Sequence, residues 1–262
     1  MAYIGLGLFA GFFAGMLGLG GGLVMVPLLT MMYAAQVGFP PGEVLHLALG
    51  TSIATILFTS LSSLHAHHQH DAVLWKVVIQ ITPGILFGTL LGTLFASNVP
   101  SKPLALFFTC FVCFVAVQMI IDLKPRASRE LPGLIGVFTV GTGIGAVSAL
   151  VAIGGGSLTV PFLTWCNVRV QKAIGTSAAI GFPIAVGGSL GYIYNGWGRT
   201  DLPAWSLGFV YLPALVWLVP SSMLIAPLGA RLAHRLPVAT LKRIFACVLI
   251  TLAAKMLWSL FA

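Results

Sequence analysis

Two short elements each occur twice in this 262-residue sequence, and both have the chemistry to hold a negatively charged solute. Three consecutive glycines stand at Gly20, Gly21 and Gly22 and again at Gly154, Gly155 and Gly156; a Gly-Thr-Ser triplet stands at Gly50, Thr51 and Ser52 and again at Gly175, Thr176 and Ser177. Glycine runs permit a sharp backbone reversal, and a helix that restarts after one presents free N–H groups and the positive end of its dipole, which suits an anion. The Thr and Ser hydroxyls can donate to an anion without the cost of burying a charge, or can instead pack helices and bond back to their own backbone. His46, which aligns with Gln171 in the second copy, and Lys172 complete the candidate substrate-binding set. A fixed cation at Lys172 near a pocket mouth would attract an anion; the other reading is an ordinary lysine at the membrane edge.

Other reactive residue types point away from enzyme or metal chemistry. His65, His67, His68, His70 and Asp71 fall within seven residues, but in what reads as a joint between apolar segments, where a solvated polar loop is expected rather than a closed ligand set. Cys110 and Cys113 have redox spacing inside an apolar stretch that offers no thiolate stabilisation, so they read as core packing. Glu43, Asp71, Asp122, Glu130 and Asp201 lie at or near segment ends, leaving no mid-membrane carboxylate to relay protons. No phosphate loop or dinucleotide fingerprint is found. Ser52 and His46 are six apart, a poor spacing for one helix face, so an intramembrane enzyme is disfavoured. No enzyme activity, metal or cofactor is expected.

The elements that must position these residues are membrane helices. Of the residues, 58% are hydrophobic and 7% charged, and the mean hydropathy is +1.04, against about 25% charged in a soluble domain. Apolar runs fall at about 2–35, 44–64, 73–96, 103–122, 132–166, 170–194, 204–230 and 238–261, giving eight helical segments of an all-α polytopic membrane protein. The opening MAYIGLGLFAG lacks the basic region and cleavage site of a secretory signal and is expected to remain as the first membrane segment. The net charge of +8 sits mostly in joints, where it sets orientation; nucleic acid is not an expected partner, whereas the lipid bilayer is.

The second half repeats the first. GGGLVMVPLL at Gly20 matches GGGSLTVPFL at Gly154, with Gly7 and Gly11 on Gly141 and Gly145. ALGTSIA at Ala48 matches AIGTSAA at Ala173, and Asp71, Pro83, Gly92 and Pro100 are followed in order by Asp201, Pro220, Gly229 and Pro237. Two four-segment repeats, 1–123 and 132–262, are thus joined by a basic loop, 124–131. Each opens with a segment of about 34 residues, roughly 50 Å as one helix against a hydrocarbon core of about 30 Å, so each is expected to break at its triple glycine. If all eight segments cross, the thirteen Lys and Arg split six to seven. If both broken segments turn back, only Lys102, Arg199 and Lys255 lie opposite the other ten, which satisfies the positive-inside rule. That choice leaves three crossings per half and makes the repeats inverted, with both termini outside and loop 124–131 cytoplasmic.

GMLGLGGGLVMVPLL, HLALGTSIA, AIGGGSLTVPFL, QKAIGTSAAIGF and GYIYNGWGRTDLPAWSLGFVYLPA together resemble the sulfite exporter TauE/SafE family, also called the toluene-sulfonate uptake permease (TSUP) family, over nearly the whole chain. The resemblance implies movement of small sulfur-containing or carboxylated anions, such as sulfite, sulfonates or sulfoacetate, across the cytoplasmic membrane of a prokaryote. HAHHQHD departs from the more basic joint associated with the family. The expected function is therefore an anion transporter with one site between the repeats, the alternative being an anion channel of the same architecture. Exact substrate, direction, coupling ion and any homo-oligomer are left open by the sequence.

Overall fold

A computed structural model describes residues 2–17, 21–121, 130–233 and 238–261. Gly20 and positions 124–129 of the connecting loop lie outside the described residues. About four-fifths of the chain is helical. The helices are α1 (Ala2–Leu17), α2 (Gly22–Ala34), α3 (Val44–Gln69), α4 (Trp75–Asn98), α5 (Ser101–Ile121), α6 (Leu134–Val151), α7 (Gly156–Trp165), α8 (Val170–Asn195), α9 (Leu212–Ala233) and α10 (Val238–Phe261).

Among the described residues the eight expected segments become ten helices, because 2–35 and 132–166 each contain two. Six helical stretches among the described residues are long and apolar enough to cross a membrane: α3, α4, α5, α6, α8 and residues 212–229 of α9. The chain is a multi-pass membrane protein. Its outward faces carry Ile79, Phe87, Leu90, Phe95, Phe114, Ile121, Trp217 and Leu224, all exposed. Contiguous apolar surface of this extent would drive aggregation in water and is matched by lipid.

Both breaks occur where glycine alone adopts the backbone comfortably. Gly21 (φ 74°) and Gly155 (φ 80°) are left-handed residues immediately before α2 and α7, a conformation that a Cβ penalises. Ala152, at the end of α6, is also left-handed (φ 46°).

Two parallel helix pairs are packed through glycine. On α1, Gly7, Gly11 and Gly15 face Ser221, Ser222 and Ala226 of α9; on α4, Gly84, Gly88 and Gly92 face Phe138, Thr142 and Ala146 of α6. A Cβ at Gly15 would fall 2.0 Å from the Ala226 carbonyl oxygen, and one at Gly88 2.1 Å from that of Thr142, so these seams require backbone-to-backbone approach. α3 and α8, 26 residues each, cross in the interior, where Gly188 receives Ile53.

Each broken pair returns to the end where it began. The Tyr3 hydroxyl donates to Gln36 Oε1 at 3.1 Å, bringing the start of α1 beside the residues after α2. α6 runs parallel to α4, and the Leu74 N–H at the start of α4 donates to Thr176 Oγ1 at 3.0 Å. The starts of α4, α6 and α8 therefore share one end, and α7 leads back to it.

Three expectations need correction. Cys110 is exposed on the outward face of α5 and Cys113 only partly buried, so the pair is not core packing. The histidine-rich stretch is not a loop: α3 continues through Gln69, carrying His65, His67 and His68 on its last turns, since no Gly or Pro interrupts SSLHAHHQ. The segment expected from residue 204 begins as a two-stranded hairpin, Ser206–Leu207 (β1) and Val210–Tyr211 (β2), paired Ser206 to Tyr211 and Leu207 to Val210. Left-handed Trp205 and Gly208 (φ 68° and 56°) direct the chain into this turn before α9 starts.

Candidate functional site

The two glycine breaks meet between α3 and α8. A Cβ on Gly22 would lie 1.7 Å from the Ala152 carbonyl oxygen and 3.1 Å from Ile56 Cδ1, so the start of α2 rests on the end of α6. Gly181 of α8 faces the Gly154 carbonyl, and Gly155 faces Ile180 and Ile184. The first helical bonds are Val24 and Met25 N–H to Gly21 O, and Leu158 and Thr159 N–H to Gly155 O. The amides of Gly22 and Leu23, and of Gly156 and Ser157, lie ahead of those ladders, where a helix start has no acceptor of its own.

The Gly-Thr-Ser triplets lie about one helical turn from this centre, at 1.5 Å per residue. Their threonines are already engaged. Thr51 Oγ1 accepts from the Tyr211 N–H at 3.0 Å and the Tyr33 hydroxyl at 3.4 Å, and a Cβ on Gly50 would lie 2.3 Å from the Phe209 carbonyl oxygen. Thr176 Oγ1 accepts from Leu74 N–H, and Gly175 sits equally close to the Ala72 carbonyl, at 2.4 Å. Each Gly-Thr pair thus clamps the chain that leads into α9 or α4.

The serines are different. Ser52 Oγ and Ser177 Oγ are buried and have no hydrogen-bond partner, and the same holds for Ser148 Oγ, Ser157 Oγ and Thr159 Oγ1. An unsatisfied buried hydroxyl costs about 1–3 kcal/mol, and Thr159 Oγ1, 3.3 Å from where a Cβ on Gly155 would stand, lies at a break itself. Ser157 and Thr159 escape a reading that weighs GGGSLTVP for its glycines alone, and Ser148 lies six residues before that stretch. The available signal is that the matching positions in the first copy are Ala14, Leu23 and Met25.

His46, Gln171 and Lys172 sit farther out. His46 lies ten residues before Ile56, and Lys172 nine before Gly181, each about 14–15 Å along its helix. Gln171 is exposed and Lys172 half-buried at the start of α8. The buried His46 ring donates from Nε2 to the carbonyls of Ala96 (2.9 Å) and Val99 (3.2 Å), and its Nδ1 is 3.0 Å from Glu43 Oε2. Glu43 is also paired with Arg199, whose guanidinium carbon lies 5.1 Å from the Phe209 ring centre. His46 therefore ties the start of α3 to the end of α4, and Glu43 ties it to the chain between α8 and the hairpin.

His68 accepts from Trp75 Nε1 at 3.4 Å, and His65 contacts Gln69. Among the described residues no three His, Cys, Asp or Glu side chains converge as a ligand set. Grooves of about 290 and 550 Å³ beside α4 and α8 are lined almost wholly by apolar side chains and take no residue from either glycine break.

Comparison with known proteins adds a family. Residues 3–256 match the family described as Sulfite exporter TauE/SafE. A "Probable membrane transporter protein" of Haemophilus influenzae is 37% identical over 256 residues, covering 95% of each chain. The "Probable membrane transporter protein YdhB" of Bacillus subtilis is 26% identical over 240 residues, covering 88% of this chain and 89% of its own. The "Probable membrane transporter protein MJ0441" of Methanocaldococcus jannaschii is 27% identical over 222 residues, covering 82% and 79%. No solved structure matches.

Proposed function

Because the chain belongs to the sulfite exporter TauE/SafE family, a family of membrane transporters, we propose that it carries small sulfur-containing anions of the sulfonate, sulfoacetate or sulfite type across a prokaryotic cytoplasmic membrane. The solute would sit where the two glycine breaks abut, held by the amides of α2 and α7 and by the serines of the two triplets. The observation that carries this reading is the meeting of two left-handed glycine breaks beside buried hydroxyls that lack partners. Amides and hydroxyls at membrane depth favour an anion without a buried counter-charge.

The repeats 1–123 and 132–262 are inverted on this reading, with 124–131 as the cytoplasmic link. Contacts exchanged between the halves support it. The carbonyls that meet Gly7 and Gly11 are those of Leu218 and Ser222, while those that meet their counterparts Gly141 and Gly145 are those of Ile81 and Ile85, which occupy matching places in the other copy. Thr51 with Tyr211 and Thr176 with Leu74 correspond in the same way. The Glu43–Arg199 pair and the His46 contacts gather the segments near 43, 98 and 199 at one end, away from the shared starts of α4, α6 and α8. That grouping agrees with the ten-to-three division of basic residues and with termini outside.

Purified protein in liposomes is expected to take up labelled sulfoacetate or sulfite saturably, with counterflow exchange; flux that never saturates would instead mark a channel. In a thermal-shift screen, failure of sulfite, sulfate, sulfoacetate, taurine and short dicarboxylates alike to bind would remove the reading.

A further inference from the structure

The buried His46 ring is surrounded by acceptors. Its Nε2 lies 2.9 Å from the Ala96 carbonyl and 3.2 Å from that of Val99, and its Nδ1 lies 3.0 Å from Glu43 Oε2 and 3.4 Å from Ser101 Oγ. The Ser101 hydroxyl already donates to the Gly42 carbonyl, so toward the ring its oxygen can only accept. Glu43 Oε2 is itself buried and has no hydrogen-bond partner. A neutral imidazole carries one N–H and one lone pair. With the N–H at Nε2, the lone pair of Nδ1 would be pressed against a carboxylate out of reach of water. A second ring proton turns that contact into an ion pair, and the Arg199 guanidinium on Glu43 Oε1 keeps the carboxylate charged, which places the proton on Nδ1. Among the described residues the charged groups at this ring are Glu43 and, behind it, Arg199; the end of α4 supplies the two carbonyls, α5 the Ser101 oxygen, and the hairpin the Phe209 ring, 5.3 Å away between centres.

We propose that His46 with Glu43 is a proton-binding site, and that one proton is taken up when the hairpin end closes and released when it opens. That this end is the outer gate of a transporter rests on the reading above; the proton site itself does not. When Glu43, Arg199 and Phe209 part from His46, the ring meets water, and a solvated imidazole gives up its proton above about pH 6.5. The closed end binds the extra proton, so low external pH favours closure and rising pH favours opening. Above that value the ratio of open to closed molecules rises about 10-fold per pH unit, the dependence of a single proton.

Nitrogen NMR of the full chain in nanodiscs, labelled at histidine, reads the ring directly. At about pH 7.5, where a solvated histidine is mostly neutral, one ring is expected with both nitrogens protonated, and its signal should vanish in His46→Gln. A neutral His46 ring overturns the proposal. Spin labels at Val37→Cys and Thr200→Cys, exposed positions flanking the hairpin end, in a chain whose native cysteines are replaced by alanine, follow the movement. A longer label separation should gain population as the pH is raised from about 6.5 to about 8.5, and a distribution that never changes overturns the link between proton and closure. Glu43→Gln can turn its amide nitrogen to Nδ1 and its oxygen to Arg199, so it closes without a proton and should lose the pH response; a response that persists counts against the site. If Glu43→Gln does not fold, His46→Gln, which keeps a donor for the Ala96 and Val99 carbonyls, is read in the same way. A parent protein that passes these tests yet binds none of the anions screened above loses the transport reading and keeps the proton site.

Discussion

The two Gly-Thr clamps make the same contact on opposite sides of the glycine breaks, yet the two sides are held shut by different forces. At the hairpin end, Gly50 and Thr51 grip Phe209 and Tyr211, and a second tier surrounds them. Tyr33 stacks on Phe39 with ring centres 4.6 Å apart, Tyr211 packs edge-on to both, and Arg199 bridges Phe209 to Glu43 beside His46. At the α4 end, Gly175 and Thr176 grip Ala72 and Leu74, backed by a small apolar group of Val77, Leu163 and Ala173. One end is a charged and aromatic latch; the other is a dry patch. On the proposed transport reading, unlocking the hairpin end means rehydrating an ion pair and separating rings, whereas the α4 end parts by losing the Leu74–Thr176 hydrogen bond and apolar contact.

Substitutions can break this comparison or sharpen it. The largest effect is expected where the clamps agree: Gly50→Ala and Gly175→Ala each drive a methyl into a carbonyl oxygen, costing about 3 kcal/mol and most of the transport activity. Thermal unfolding and liposome uptake of both variants check this, and a mild effect in either would show that the two clamps are not equivalent. Next comes the difference between the ends. Glu43→Ala leaves His46 and Arg199 without their shared partner and should cost about 2 kcal/mol, since Glu43 is mostly but not wholly buried. Hydrogen exchange should then rise across residues 199–211 and stay unchanged across 70–76; equal rises would contradict separate latches. The smallest effect belongs to the hydroxyls. Thr176→Val removes one acceptor and should cost about 1 kcal/mol, and Thr51→Val somewhat more because the Tyr33 hydroxyl loses its partner too.

Much of the framework is legible in the residues. Paired glycine runs inside over-long apolar segments require breaks, and Gly21 and Gly155 adopt the left-handed backbone that such a break needs. Glycines four apart on α4 are a helix seam because each one meets a carbonyl of α6. Legibility ends where meaning depends on a distant partner. Thr51 and Thr176 look like ligand donors in the sequence, but their oxygens accept from the amides of Tyr211 and Leu74, 160 and 102 residues away, which gives them a clamping role. His46 looks like a solute ligand, but its neighbours are the end of α4 and Glu43. Ser157 and Thr159 lie inside a quoted motif, and only burial without a partner distinguishes them from helix surface hydroxyls. The hairpin at 206–211 is hidden by an apolar composition that suits helix and strand alike.

The glycine seams also bear on how the chain is made. α1 settles against α9, which begins at Leu212, so α1 leaves the ribosome well before the helix that fills its groove has been made. Until then its notched face is bare in the lipid. A fragment truncated before α9 would leave α1 without its partner, open to quality-control proteases.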